Sequence, residues 1–166
     1  MVKFLIGIGI PPSSAGDVGL ILEIILLGIA LLFLAKKTKV GAFGYAIYAG
    51  YFVVDKLENI FSFSGAMMKG GALFLVALVL HHGLFRWTVK VKLGGSGLVR
   101  WIKRLVISFS VTGFLFSVVM SWMSPKELND MSLSDTMSNI FLSDLSGLIW
   151  ALVPLMVIFI LRKRDQ

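Results

Sequence analysis

The chain has 166 residues, of which 57% are hydrophobic and 15% charged, and its mean hydropathy of +0.91 implies more apolar surface than one soluble domain can hide. The formal charge of +7 would suggest nucleic acid in a soluble protein, but here the cations sit in short segments between apolar runs, so no nucleic-acid partner is expected. With no cysteine in the chain, disulfides, thiolate metal sites and thiol catalysis are excluded.

Residues 1–17, MVKFLIGIGIPPSSAGD, have the parts of a signal peptide: Lys3, an apolar run from Phe4 to Ile10, and small residues near Ala15. That run is at the lower limit of a signal core, about 7 residues, and Pro11 and Pro12 interrupt it. A retained segment lying at the membrane interface is the expectation. Five stretches then approach the roughly 20 apolar residues needed to cross about 30 Å of hydrocarbon. They are residues 18–35, 40–63, 70–87, 105–123 and 147–161. The expected fold class is all-α: one polytopic membrane domain over residues 1–166, with five transmembrane helices and short connections that make successive helices antiparallel neighbours.

In the first span Glu23 is the one acid well inside the apolar run. A charged group in hydrocarbon costs on the order of 3 kcal/mol or more, so Glu23 should face the bundle interior, protonated or paired. Asp55, Lys56 and Glu58, at the end of the second span, reach comparable depth by helical rise. A Glu23–Lys56 ion pair is the structural expectation, and a proton or ion site built from these four residues is the functional one. The second span also carries small residues, Ala42, Ala46, Ala49 and Gly50, on one side, with Tyr45, Tyr48 and Phe52 on a neighbouring one.

His81 and His82, the only histidines, close the third span. Adjacent helical residues differ by about 100° in direction, so the two rings cannot both ligate one central iron. A haem b would need one of them plus a methionine such as Met156, or a second subunit. The bland expectation is one histidine hydrogen-bonded between helices and the other near the headgroups. The stretch that follows contains Arg86, Trp87, Lys90, Lys92, Arg100, Trp101, Lys103 and Arg104, suited to anionic lipid heads at the interface. Its GGSG turn lacks the lysine and strand context of a phosphate-binding loop.

The fourth span opens with Ser108 and Ser110, at a depth that could meet a histidine, but no acid or oxyanion partner accompanies them. Ser110, Gly113, Ser117 and Ser121 share one stripe and read as a packing seam. Residues 124–146 should form a short amphipathic helix outside the bilayer. Ser124, Pro125 and Glu127 make a capping-box pattern, and Met131, Met137, Ile140, Phe141 and Leu145 supply an apolar side. Its acids Asp130, Asp135 and Asp144 lack the spacing of a calcium loop, and no metal site is expected.

Lys36, Lys37 and Lys39, the basic residues from Arg86 to Arg104, and Arg162, Lys163 and Arg164 fall on one side of a five-span arrangement, against the single acid Asp165. Basic loops resist translocation, so the amino terminus is expected outside and the carboxyl terminus in the cytoplasm of a cell membrane.

Residues 18–119 resemble small membrane proteins grouped with cytochrome-oxidase assembly factors. The likeness rests on GLILEIILLGIALLFLAKK, a basic turn followed by GAFGYAIYAG, a third helix ending in FRW, and ISFSVTGFLFSVV in the fourth. The resemblance implies haem handling by histidines, one of them just after the first basic turn, where this chain has Gly41, Ala42, Phe43 and Gly44. The function expected from all of this is an accessory or scaffold subunit that packs against lipids and other integral membrane subunits. The alternatives are a haem- or quinone-associated electron-transfer or assembly protein, and a small proton-linked transporter or ion-conducting oligomer.

Overall fold

The structure, a computed structural model, describes residues 2–34, 40–58, 61, 63, 65–85, 93 and 96–161. Arg86, Trp87, Lys90 and Lys92, and the basic residues 36, 37, 39 and 162–164, lie outside the described residues. The described elements are helical: α1 (Val2–Gly7), α2 (Pro12–Leu34), α3 (Val40–Glu58), α4 (Ala66–Leu80) continued by a π turn (His81–Phe85), α5 (Gly97–Ser121), α6 (Pro125–Asp130), α7 (Asp135–Leu142) and α8 (Asp144–Leu161).

Four of these helices are long and apolar enough to cross a membrane: α2, α4 with the start of the π turn, α5 and α8. Helix α3 is not among them. Its 19 residues include Tyr45, Tyr48 and Tyr51 and finish on Asp55, Lys56 and Glu58, which lowers its apolar character although its length of about 28 Å is sufficient.

Several boundaries differ from the sequence expectation. Helix α2 begins six residues before the predicted span, with Pro12 in its first turn, where a missing N–H costs nothing, and with the amides of Ser14 and Ala15 bonded to the Pro11 carbonyl. Ala15 and Gly16 are buried inside it. Helix α3 is described to Glu58, and residues 61 and 63, at the end of the predicted span, are not helical. Helix α5 starts at Gly97, next to the glycine turn, so Arg100, Trp101, Lys103 and Arg104 stand on its first turns, ahead of the apolar span at 105–123.

Helix α5 organises the bundle. It packs against α2, α3, α4, α7 and α8, and 61% of its membrane-length window is buried, against 17–28% for the other three. The reason is legible in its side chains, because Ser108, Ser110, Gly113 and Ser117 let neighbouring backbones come close. Each of these hydroxyls donates to a backbone carbonyl: Ser108 Oγ to Gly28 O of α2 at 2.5 Å, Ser110 Oγ to Val106 O at 2.7 Å, Ser117 Oγ to Phe141 O of α7 at 3.2 Å. The predicted seam on α5 is therefore the contact line for α7 and α8. Trp150 of α8 lies over Gly113, where a Cβ would overlap the indole ring. On α3 the small-residue side meets α4, with Gly50 facing Leu73 and the backbone of Ala77.

Residues 124–146 form two short helices, not one. The box that starts α6 is complete, with Ser124 Oγ accepting from the Glu127 amide and the Glu127 carboxylate accepting from the Ser124 amide at 2.7 Å. After it the chain turns through Ser132, at φ 52°, and Ser134 caps α7. This turn docks on the start of α2. Gly16 meets the carbonyls of Met131 and Ser132 so closely that a Cβ would overlap both, and Asp17 accepts from the Ser134 amide at 2.8 Å. Met131, Met137 and Phe141 pack with Leu20 and Met120, so most of the predicted apolar side is spent within the chain. Ile140 and Leu145 remain exposed.

Candidate functional site

Glu23 stands eleven residues from each end of α2, about 16 Å along the axis in either direction. The start at Pro12 thus puts it at the middle of the helix. It does not face the bundle interior as expected. Glu23 is half-buried and lines an open groove with Leu26, Leu27, Ala30 and Phe116, on the side where α2 meets α5, and Leu22, Ile25 and Leu26 beside it are exposed.

The predicted Glu23–Lys56 pair is not formed. Lys56 pairs with its neighbour Asp55 at 3.4 Å, both well exposed, because the last turn of α3 lies at an end of the bundle and Glu23 at mid-height. Glu58 instead reaches across to Lys69 of α4, whose side chain is only 15% exposed. Lys69 also stands 5.9 Å from the centre of the Trp122 ring, and Trp122 stacks on Tyr51 at 5.9 Å. Asp55, Lys56 and Glu58 therefore belong to a surface cluster that ties α3 to α4, separate from Glu23. Lys69 was absent from the predicted set; the available signal was a cation standing apart from every basic loop.

The histidines divide as the helical geometry requires. His81 is buried, its ring edge-on to Phe43 at 5.5 Å. His82 is exposed, with Nδ1 3.0 Å from the Leu78 carbonyl. The two rings touch at right angles, 5.1 Å apart. Both fall in the π turn, a widened helical turn found often at functional sites. Met156, the methionine considered as a second haem ligand, is 58% exposed and does not turn into the core that holds His81. The described residues thus bring no pair of axial ligands together on one iron. Among the described residues no three His, Asp or Glu side chains converge as a metal site would require.

Ser108 and Ser110 are buried and donate to backbone oxygens, and Thr112 donates to Ser108 O at 2.9 Å. At the start of α5, Arg100 and Trp101 are exposed and Lys103 and Arg104 half-buried. With Leu98, Val99 and Ile102 also exposed, this turn has a mixed basic and apolar surface.

No protein-family model, no curated protein and no solved structure matches the chain. Glu23 stands apart from the other ionisable side chains: it lies at mid-height on a long apolar helix, open to the outside of the bundle.

Proposed function

We propose that this chain is an integral membrane accessory subunit, with α3 as a fifth span, the amino terminus outside, the carboxyl terminus in the cytoplasm, and its home the cell membrane. It packs against other membrane subunits and stabilises them. Sorting of the basic segments supports the orientation. The resemblance of residues 18–119 to oxidase assembly factors supports a respiratory setting for the partner complex.

The observation that carries the assembly role is Glu23. A carboxyl group at the centre of a spanning helix is costly unless another group hydrogen-bonds or pairs with it. Among the described residues no ion pair or hydrogen bond reaches it, and its groove faces outward, where a neighbouring subunit would lie. Exposed Leu22, Ile25, Leu26 and Ile29 extend that face along α2, and close helix packing supplies the remaining association energy.

Purification from native membranes in mild detergent tests the reading. The chain is expected to co-migrate with other membrane subunits, and Glu23→Leu to release it from them. A wild-type chain that runs alone, or a Glu23→Leu chain that stays in the complex, overturns the proposal. The same carboxyl supports a second reading, a proton-linked or ion-conducting oligomer. Liposomes holding only this chain would then acidify under an imposed potential, and Glu23→Gln would abolish the flux.

A further inference from the structure

At the α7 end of the bundle a cleft of about 390 Å³ opens between α3, α5 and α8. The only hydrogen bond joining α3 to α8 among the described residues is that of the Tyr48 hydroxyl to the Ala151 carbonyl, at 2.5 Å. Pro154 lies one turn further along α8, and a proline in a helix loosens backbone bonding in the preceding turn, which a neighbouring helix can then satisfy. Tyr48 is also stacked on Phe114 at 4.4 Å, so one wall of the cleft is a fixed aromatic surface. Tyr51, held against Trp122, continues that wall, and Phe52 on α3 and Leu148 on α8, 66% and 58% exposed, form a rim on the outer surface of the bundle.

The polar groups in the cleft share one character. Tyr48 donates its proton to Ala151, Ser117 to Phe141, Ser121 to Val118 and Ser143 to Asn139, each to a backbone carbonyl. Ser143 Oγ also accepts from the Ser146 amide at 3.2 Å, so Tyr48, Ser117 and Ser121 in the main offer the cleft oxygen lone pairs and no proton. Asp144 adds a carboxylate at the mouth, and the two cations described at this end of α3 and α4 are engaged elsewhere, Lys56 by Asp55 and Lys69 by Glu58. Aromatic faces carry negative potential as well. The cavity is of ligand size, rich in acceptors and negative at its rim. A cation on an apolar stem satisfies every one of these features, through the carboxylate, the lone pairs and the ring faces.

We infer that the cleft binds the ammonium headgroup of a zwitterionic membrane lipid, its chain leaving past Phe52 and Leu148 into the bilayer. The lateral rim selects a lipid over a dissolved amine, because a molecule entering there comes from the hydrocarbon side. This inference is independent of the accessory role and of Glu23.

The test uses the full chain in detergent micelles, with tryptophan fluorescence as readout, since Trp122 stacks on a wall residue of the cleft and Trp150 on Phe141. Phosphatidylethanolamine is expected to bind saturably and at least tenfold more tightly than phosphatidylglycerol, which has no ammonium. Asp144→Asn and Phe52→Ala, both at exposed positions that leave the core intact, should each weaken binding at least tenfold, and Asp130→Asn, outside the cleft, should leave it unchanged. Equal binding of the two lipids, or an unaffected Asp144→Asn, overturns the inference. Phosphoethanolamine without acyl chains binding as tightly as the lipid overturns the lipid as the source.

Discussion

Gly113→Ala is the sharpest test of the packing described here. The added Cβ would stand 2.5 Å from Cη2 and 2.6 Å from Cε3 of Trp150, well inside van der Waals contact, so either the indole or α8 must shift. The indole is not free to swing: it is stacked on Phe141 at 5.2 Å with an interplanar angle of 7°, and its Nε1 donates to the Ile140 carbonyl at 2.8 Å. Overpacking of this kind costs about 1–3 kcal/mol. Displacing the ring also forfeits a hydrogen bond of about 1 kcal/mol and an aromatic pair of about 0.5–1.5 kcal/mol. Because these losses share one motion they do not simply add, and about 3 kcal/mol is a reasonable total. At about 2–4 °C per kcal/mol for a chain of this size, the Tm in mild detergent should fall by about 6–12 °C. The cause is isolated by repeating Gly113→Ala in a Trp150→Ala background, where the clash has been removed and the added methyl should cost almost nothing. A Gly113→Ala protein that melts with the parent, or one that loses as much in both backgrounds, refutes the argument.

Ser108→Ala removes the 2.5 Å bond from α5 to the Gly28 carbonyl and should cost about 0.6–1.7 kcal/mol in thermal or denaturant unfolding, the range for hydrogen bonds between membrane helices. Glu58→Ala leaves the largely buried Lys69 without its carboxylate and should destabilise by about 1–3 kcal/mol; restoration of stability by Lys69→Met in the same chain is the confirming result. The Glu127 carboxyl is held below its ordinary value of 4.5 by hydrogen bonds from the Ser124 amide first and the Ser124 hydroxyl second. A depressed folded-state value means that the capping contribution is present above pH 4.5 and disappears as pH falls through the lowered one. A carbon-detected NMR titration should show this, with Ser124→Ala moving the midpoint part of the way back toward 4.5. Cysteines placed at Lys37 and Lys163 should be labelled from the same face of the membrane and one at Lys126 from the other; labelling of Lys37 and Lys163 from opposite faces would remove the proposed topology.

Hydropathy made α2, α4, α5 and α8 legible, because uninterrupted apolar length has one common cause, the thickness of hydrocarbon. Local chemistry made the start of α6 legible too, since a Ser–Pro–x–Glu pattern fulfils its own hydrogen bonds without help from the rest of the fold. The stripe Ser110, Gly113, Ser117 showed that something would pack closely on α5, but not what. Nothing in its spacing says that Trp150 and the Phe141 carbonyl are the partners. Glu23 stands out in the sequence, but its place at the middle of α2 does not: Ser13, Ser14 and Asp17 look like a loop, whereas Gly16 and Asp17 are held by the turn at residues 131–134, over a hundred positions away. Its expected partner Lys56 failed for the same reason, since pairing among helices of similar hydropathy depends on which faces meet. Of the aromatic stripe Tyr45, Tyr48 and Phe52 on α3, Tyr48 and Phe52 line the cleft, and its acceptor character depends on the proton of each hydroxyl going to a carbonyl, which spacing does not reveal.

The central position of α5 sets a problem for biosynthesis. The ribosome delivers residues 97–121 after α2, α3 and α4 have been made, so the early helices are synthesised before the central element exists. A nascent chain halted ahead of Gly97 would keep the α3–α4 contact and leave α2 without the long helix it packs against most extensively among the described elements.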